Sequence, residues 1–182
     1  MSRLELYIPK VEDYWYEEKI QSDPETMSYN AGWDVSYYGY HYDTGCIDFP
    51  KERWQEVFDK RVKEKRFFAY LKDKDLDEFI GYVNYHYNKN DDRYECGILI
   101  ESKYRGKGYS REGLKLLCNY AKSQGVDYLY DDFEDNRGGT SIFYDLGFKE
   151  VGRYEMKKFD KYLEIVVVRI DLNEEDNCTS VN

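Results

Sequence analysis

The chain has 182 residues, enough for one domain with its own core at the usual roughly 100–200 residues per domain. Its 27 basic residues against 37 acidic ones leave a formal charge of −10, which argues against a nucleic-acid binder and against docking on anionic lipid, since both need a basic face. Such a surface serves solubility first and draws cationic partners second.

Cys46, Cys96, Cys118 and Cys178 stand far apart, with no C-x-x-C pair and no Cys/His cluster. Neither a zinc site nor a redox dithiol is expected, and His41 and His86 are too few and too distant to hold a metal. Residues 1–10 carry no apolar leader, and no stretch approaches a membrane span, so the expectation is a reduced, cytoplasmic protein.

In chain order, residues 4–7 are a strand candidate, and 11–20 read as a helix stopped ahead of Asp23-Pro24, because proline disfavours helix in the residue before it. Residues 25–49 are irregular, broken by Gly32, Gly39 and Gly45 and crowded with Tyr37, Tyr38, Tyr40 and Tyr42. A loop of that length is expected to be functional. Pro50 opens a helix with Trp54, Val57, Phe58 and Val62 on one side. Strands follow at 67–71, 79–87 and 94–100. A helix over 109–123 places Leu114, Leu117, Cys118 and Ala121 on one face and ends at Gly125. Then come a strand at 128–133, a short helix at 140–146 ended by Gly147, and a hairpin of 148–157 with 163–172. Cys96 and Cys118 fall at core positions. No repeat or linker is visible, which makes this one α+β domain.

The stretch that carries chemistry is strand 94–100, then Arg105-Gly106-Lys107-Gly108-Tyr109-Ser110, then a helix. Glycines at a helix mouth let backbone N–H groups converge on one point, and the helix N-terminus adds partial positive charge there. Arg105, Lys107 and Arg111 surround the same point, which together makes a pyrophosphate cradle. A Walker loop fails because Lys107 is followed by Gly108, and a dinucleotide fingerprint fails because Arg111 stands where a third glycine belongs.

What remains, R-x-x-G-x-Ser over 105–110, resembles the acetyl-CoA-binding motif Q/R-x-x-G-x-G/A of the GNAT superfamily, with Ser110 departing at the last position. Downstream, Asn136, the helix with Ser141, Ile142, Phe143 and Tyr144, and Leu146-Gly147-Phe148 are similar to that family's second motif. Their spacing to Gly147 leaves either Tyr144 or Phe143 in the place of the family tyrosine.

The resemblance implies a mixed, mostly antiparallel sheet of about six or seven strands flanked by helices, with a splayed strand pair forming a coenzyme A groove. It implies acetyl transfer from acetyl-CoA to a primary amine. Residues 1–65 would hold acceptor-side helices and the aromatic loop, 66–135 the sheet and cofactor core, 136–172 the second motif and hairpin, and 173–182 a flexible tail.

The cofactor would meet Ile98, Leu99, Ile100, Arg105, Gly106, Lys107, Gly108, Tyr109, Ser110 and Asn136. A backbone N–H of Ile98 or Leu99 would polarise the thioester carbonyl. Glu95 is the candidate base and Tyr144 the candidate acid; each also has a structural reading, as a solvent-facing strand residue and a packed tyrosine. Asn136 would equally serve as a helix cap. Trp33, Tyr40 and Asp43 are the candidate acceptor residues, for a cationic small-molecule or peptide amine. The same aromatics would suit a packed loop or a homodimer interface. A catalytically idle acyl-CoA-binding sensor on the same fold is the alternative function.

Overall fold

The computed structural model describes residues 2–135 and 137–174. Seven strands make one sheet: β1 (Leu4–Tyr7), β2 (Phe67–Asp73), β3 (Glu78–Asn88), β4 (Arg93–Ile100), β5 (Tyr128–Glu134), β6 (Lys149–Lys158) and β7 (Lys161–Asp171). Their order is β1-β2-β3-β4-β5-β7-β6. All neighbours are antiparallel except β4 and β5, which run parallel and touch at one pairing, Glu95↔Tyr130. They are parallel because the chain between them crosses the sheet face as helix α4.

The sheet is covered on both sides by α1 (Trp15–Gln21), α2 (Pro24–Met27), α3 (Trp54–Lys63), α4 (Tyr109–Ser123) and α5 (Ser141–Asp145). On one face α4 packs Leu114, Leu117, Cys118 and Ala121 against Cys96, Leu129, Val166 and Val168, with Phe143 of α5 joining them. On the other face Tyr16, Ile20 and Met27 cover Phe68, Tyr70 and Leu99. Side chains of the two faces alternate along each strand, as the pleat requires. Burying each large apolar side chain contributes about 1.5–3 kcal/mol, so α4 alone anchors the sheet firmly.

The second face is held by charge as well. Glu17 of α1 is buried and takes both Arg61 nitrogens of α3, at 2.7 and 2.9 Å, while the guanidinium lies 3.8 Å from the Phe68 ring centre. The apolar side predicted for α3 is realised only in its first turns. Trp54 packs with Tyr14 and Phe49, but Val62 is 63% exposed, because nothing covers the helix's far end.

Expected strands are all present, most of them extended by a residue or two at an end. The last hairpin turns more tightly than predicted, since Lys161 and Tyr162 already pair with Lys158 and Lys157. Of the predicted tail, 175–182 lies outside the described residues, as does Cys178; Cys46 and Cys96 are buried free thiols, and Cys118 is buried.

The aromatic loop is not open chain. Trp33 pairs with Lys158 and Tyr40 with Ile47, and the Phe159 N–H donates to the Gly32 carbonyl at 2.6 Å. Gly32 sits at φ +81°, with the Phe159 ring 2.4 Å from where a Cβ would stand, so only glycine closes this contact. Among the described residues no helix is long and apolar enough to cross a membrane, and no three His, Cys, Asp or Glu are grouped to hold a metal ion.

Candidate active site

Beyond Glu95↔Tyr130 the strands β4 and β5 part, leaving a groove of about 480 Å³ whose walls include Ile98, Leu99, Ile100, Asp131 and Phe133. A single short parallel pairing cannot hold the strands together once α4 and α5 wedge apolar side chains beneath them. Backbone polarity in the gap follows from alternation. The Glu101 N–H donates across to Ile80 of β3, so Leu99 faces β3 and the polar groups of Ile98 and Ile100 face the groove. The Ile100 carbonyl is taken by Arg105 Nε at 3.2 Å. The N–H groups of Ile98 and Ile100 are left turned to the gap, whereas that of Leu99 is turned to β3.

At one end of the groove Gly108 starts α4 at φ +82° with no side-chain cap, so the first-turn N–H groups and the helix dipole face the opening. A Cβ on Gly106 would meet nothing within 4 Å, leaving open approach to the backbone. Gly106 and Ser110 line the groove, whereas Lys107, Gly108 and Tyr109 shape the turn behind it.

Two side chains of the loop are committed elsewhere. The Tyr109 hydroxyl donates to Asp73 at 2.7 Å and its ring is buried. Arg105 reaches back to the Thr26 carbonyl at 2.6 Å and the Glu25 carbonyl at 3.3 Å. Its guanidinium therefore ties α2 to the end of β4, and the residue also lines the groove. Asn136, expected to contact the cofactor, lies outside the described residues.

The proton-handling candidates fall differently from expectation. Phe143 is buried and lines the groove, while Tyr144 is 45% exposed and meets the Phe133 ring at right angles. On a helix this short, adjacent residues point about 100° apart, so one of the pair had to face out. The inward position carries no hydroxyl. Glu95 stands at the closed end of the gap but outside the groove wall, its Oε1 held by Arg93 at 2.8 Å and by Asn88 at 3.1 Å. Asp131, by contrast, is inside the wall, and burial pushes its carboxyl well above the ordinary carboxylate range.

None of the expected acceptor residues lines the groove. Trp33 donates its indole N–H to the Tyr29 carbonyl and is covered by the Lys158 ammonium at 4.9 Å. Tyr40 donates to the Asn30 carbonyl and accepts the Trp33 N–H. Asp43 is exposed on the loop's outer side. Instead Tyr29, Tyr82, Asn84, Asp132 and Arg137 line the groove where it opens on the α1–α2 face. Burial pushes both phenols up, and the Arg137 guanidinium lies 4.8 Å from the Tyr29 ring centre.

The family model for the acetyltransferase (GNAT) domain matches residues 3–149. The chain belongs to the GNAT family. Its acetyl donor is acetyl-CoA, and the N-terminal opening of α4 fits the donor's pyrophosphate. A search of curated proteins gives no match. Solved structures share the fold at low identity. Spermidine N-acetyltransferase from Vibrio cholerae in complex with CoA and spermine has TM-score 0.75 and 17% identity, over 94% of this chain and 97% of its own. The protein yncA from Salmonella typhimurium, solved with its cofactor acetyl-CoA, has TM-score 0.72 and 14% identity, over 98% and 99%. An N-acetyltransferase from Staphylococcus aureus Mu50 has TM-score 0.71 and 18% identity, over 94% and 100%.

Within this GNAT domain, Tyr29, Tyr82, Asn84 and Arg137 are the groove residues that sequence reasoning passed over. Tyr82 and Asn84 share a face of β3 by strand alternation, a signal readable from the sequence once β3 was drawn. Tyr29 and Arg137 come from segments far apart in the chain and carry no local signal.

Proposed function

We propose that this acetyltransferase moves the acetyl group of acetyl-CoA to the primary amine of a cationic acceptor by direct attack. The observation that carries the reading is the gap between β4 and β5, pinned at Glu95↔Tyr130 and open beside the uncapped start of α4. Bound there, acetyl-CoA supplies an activated acetyl thioester. The α4 mouth binds the pyrophosphate, and the exposed edge of β4 pairs with the pantetheine amides as an added strand would. The Ile98 N–H faces the thioester carbonyl, and one such donor contributes about 3–4 kcal/mol to the transition state.

The amine enters from the opposite face, past Tyr29, Tyr82 and Asp132. Two ring faces and an exposed carboxylate suit a cationic acceptor, and the spermine held by the similarly folded Vibrio cholerae enzyme supports that class. Before attack the ammonium loses a proton. Glu95, at the closed end of the gap, takes it through a water.

The second reading, an idle acyl-CoA sensor, is favoured by the Phe143 ring in the inward position of α5 and by the Arg93 clamp on Glu95. One assay separates them: purified protein, acetyl-CoA and a panel of polyamines, small amines and peptide N-termini, with free thiol as the readout. Amine-dependent thiol release is the expected result. Tight acetyl-CoA binding with no release above the background rate would leave the sensor.

A further inference from the structure

We propose that Asp131 is the acid that protonates the departing sulfur, replacing a hydroxyl that α5 does not supply. The inference rests on the acetyl-transfer reading above. In the transfer, the amine nitrogen bonds to the acetyl carbon and the carbon–sulfur bond breaks. The first ammonium proton leaves through Glu95 to solvent, and the nitrogen sheds its second to solvent as the amide forms; the sulfur takes the Asp131 proton, and the carboxylate is reprotonated from solvent.

Position carries the argument. Asp131 is the next residue after Tyr130, whose pairing with Glu95 closes the gap, so it sits where β4 and β5 begin to part. It lies between Leu129 and Phe133, both buried in the α4 side of the core, and alternation turns its side chain to that face. That is the face on which Phe143 lines the groove 5.1 Å from Phe133, ring centre to ring centre.

The other proton donors of the groove are excluded by place. Tyr29 and Tyr82 stand on the α1–α2 side, and burial makes both phenols weaker acids than usual. Ser110 is at the α4 mouth, and Thr140 already donates to the Arg137 carbonyl at 2.9 Å. Asp132 is exposed and accepts the Tyr154 hydroxyl at 2.7 Å. Among the described residues of the groove, Asp131 remains.

Half-buried on the groove wall, its carboxyl is pushed up by its surroundings. Loss of water raises its affinity for the proton, as do the Asp132 and Glu95 carboxylates. The Asp132 N–H, donating to Oδ1 at 2.8 Å, and the Arg137 charge oppose this. Across the gap the nearby Cys96 thiol is itself pushed up by burial and brings no charge, and Cys118 of α4 packs in the same core. A carboxyl raised in this way keeps its proton to higher pH than an ordinary one and is the better suited to donate it.

The test combines kinetics with a titration that needs no turnover. Asp131→Asn keeps shape and should keep the melting temperature and the acetyl-CoA Kd. Its kcat should fall about 10²-fold, within the range of general-acid effects. Wild-type kcat should decline as pH rises through the Asp131 pKa, and the variant should lose that limb. In free wild-type protein, the Asp131 carboxyl carbon, assigned by NMR through its link to Asp132, should titrate above the ordinary carboxylate range. Adding CoA should move it, and desulfo-CoA should move it less.

Titration near the ordinary value, or a variant with unchanged kcat and pH profile, would overturn the assignment while leaving acetyl transfer standing. Failure of acetyl-CoA to bind wild-type protein would sink both. Should the variant not fold, the wild-type titration and its response to CoA decide alone.

Discussion

Ser110→Asp puts a carboxylate in the first turn of α4, on the groove wall where the pyrophosphate is placed. At about 4 Å and an effective dielectric near 20, repulsion between unit charges is about 4 kcal/mol. Solvent and salt reduce it at this open site, so a loss of about 2–3 kcal/mol is expected, or roughly 30- to 150-fold in Kd. Stability should move the other way, because an acidic residue in a first turn gains about 0.3–1 kcal/mol from the helix dipole.

Thermal shift reads both effects. With acetyl-CoA at about 100 times Kd, linkage stabilises wild type by about 2.7 kcal/mol. At about 2–4 °C per kcal/mol for a chain of this size, that is a rise of roughly 5–11 °C. At the same ligand concentration the variant should rise by only about 1–3 °C, from an unliganded melting temperature no lower than wild type. A full ligand shift in the variant would refute the placement of the pyrophosphate at α4. A collapse of the unliganded protein would refute the outward direction of residue 110.

Three other perturbations test the scaffold and the site. Glu17→Gln breaks the buried pair with Arg61 and should cost about 3–5 kcal/mol in urea unfolding; a loss under 1 kcal/mol would mean that the pair is solvated. Tyr144→Phe should leave kcat within about twofold, since the ring edge faces solvent; a tenfold fall would restore Tyr144 as the acid. Asp23 accepts the Thr26 hydroxyl, caps α2 and accepts the Ser102 hydroxyl, and these hydrogen bonds hold its carboxyl below the ordinary range. A depressed folded pKa gives stability that is present above the unfolded value of about 3.9 and is lost as pH falls through the folded one. Asp23→Ala should therefore cost about 0.5–2 kcal/mol at pH 7, and the difference should shrink on titration below about pH 4; a pH-independent difference would refute the charge term.

The sequence by itself determined the elements and the glycine turn that opens α4. Periodicity placed α4 at its observed ends, because an apolar stripe of Leu114, Leu117, Cys118 and Ala121 has one way to be buried. Glycines before that helix marked its uncapped mouth, since φ near +80° at Gly106 and Gly108 is a local backbone property. What local pattern does not encode is the direction of a side chain relative to a distant partner. The tertiary structure decided that Phe143 faces the groove and Tyr144 solvent, because the packing of α5 against Phe133 and Phe148 fixes its rotation. It turned Arg105 inward, because the Glu25 and Thr26 carbonyls, 80 and 79 residues away in sequence, stand beside it. It closed the aromatic loop onto the β6–β7 turn through Gly32 and Phe159, leaving Tyr29, Tyr82 and Asn84 to line the groove. Each outcome depends on contacts between segments far apart in the chain, and such contacts exist only once the sheet has brought the segments together.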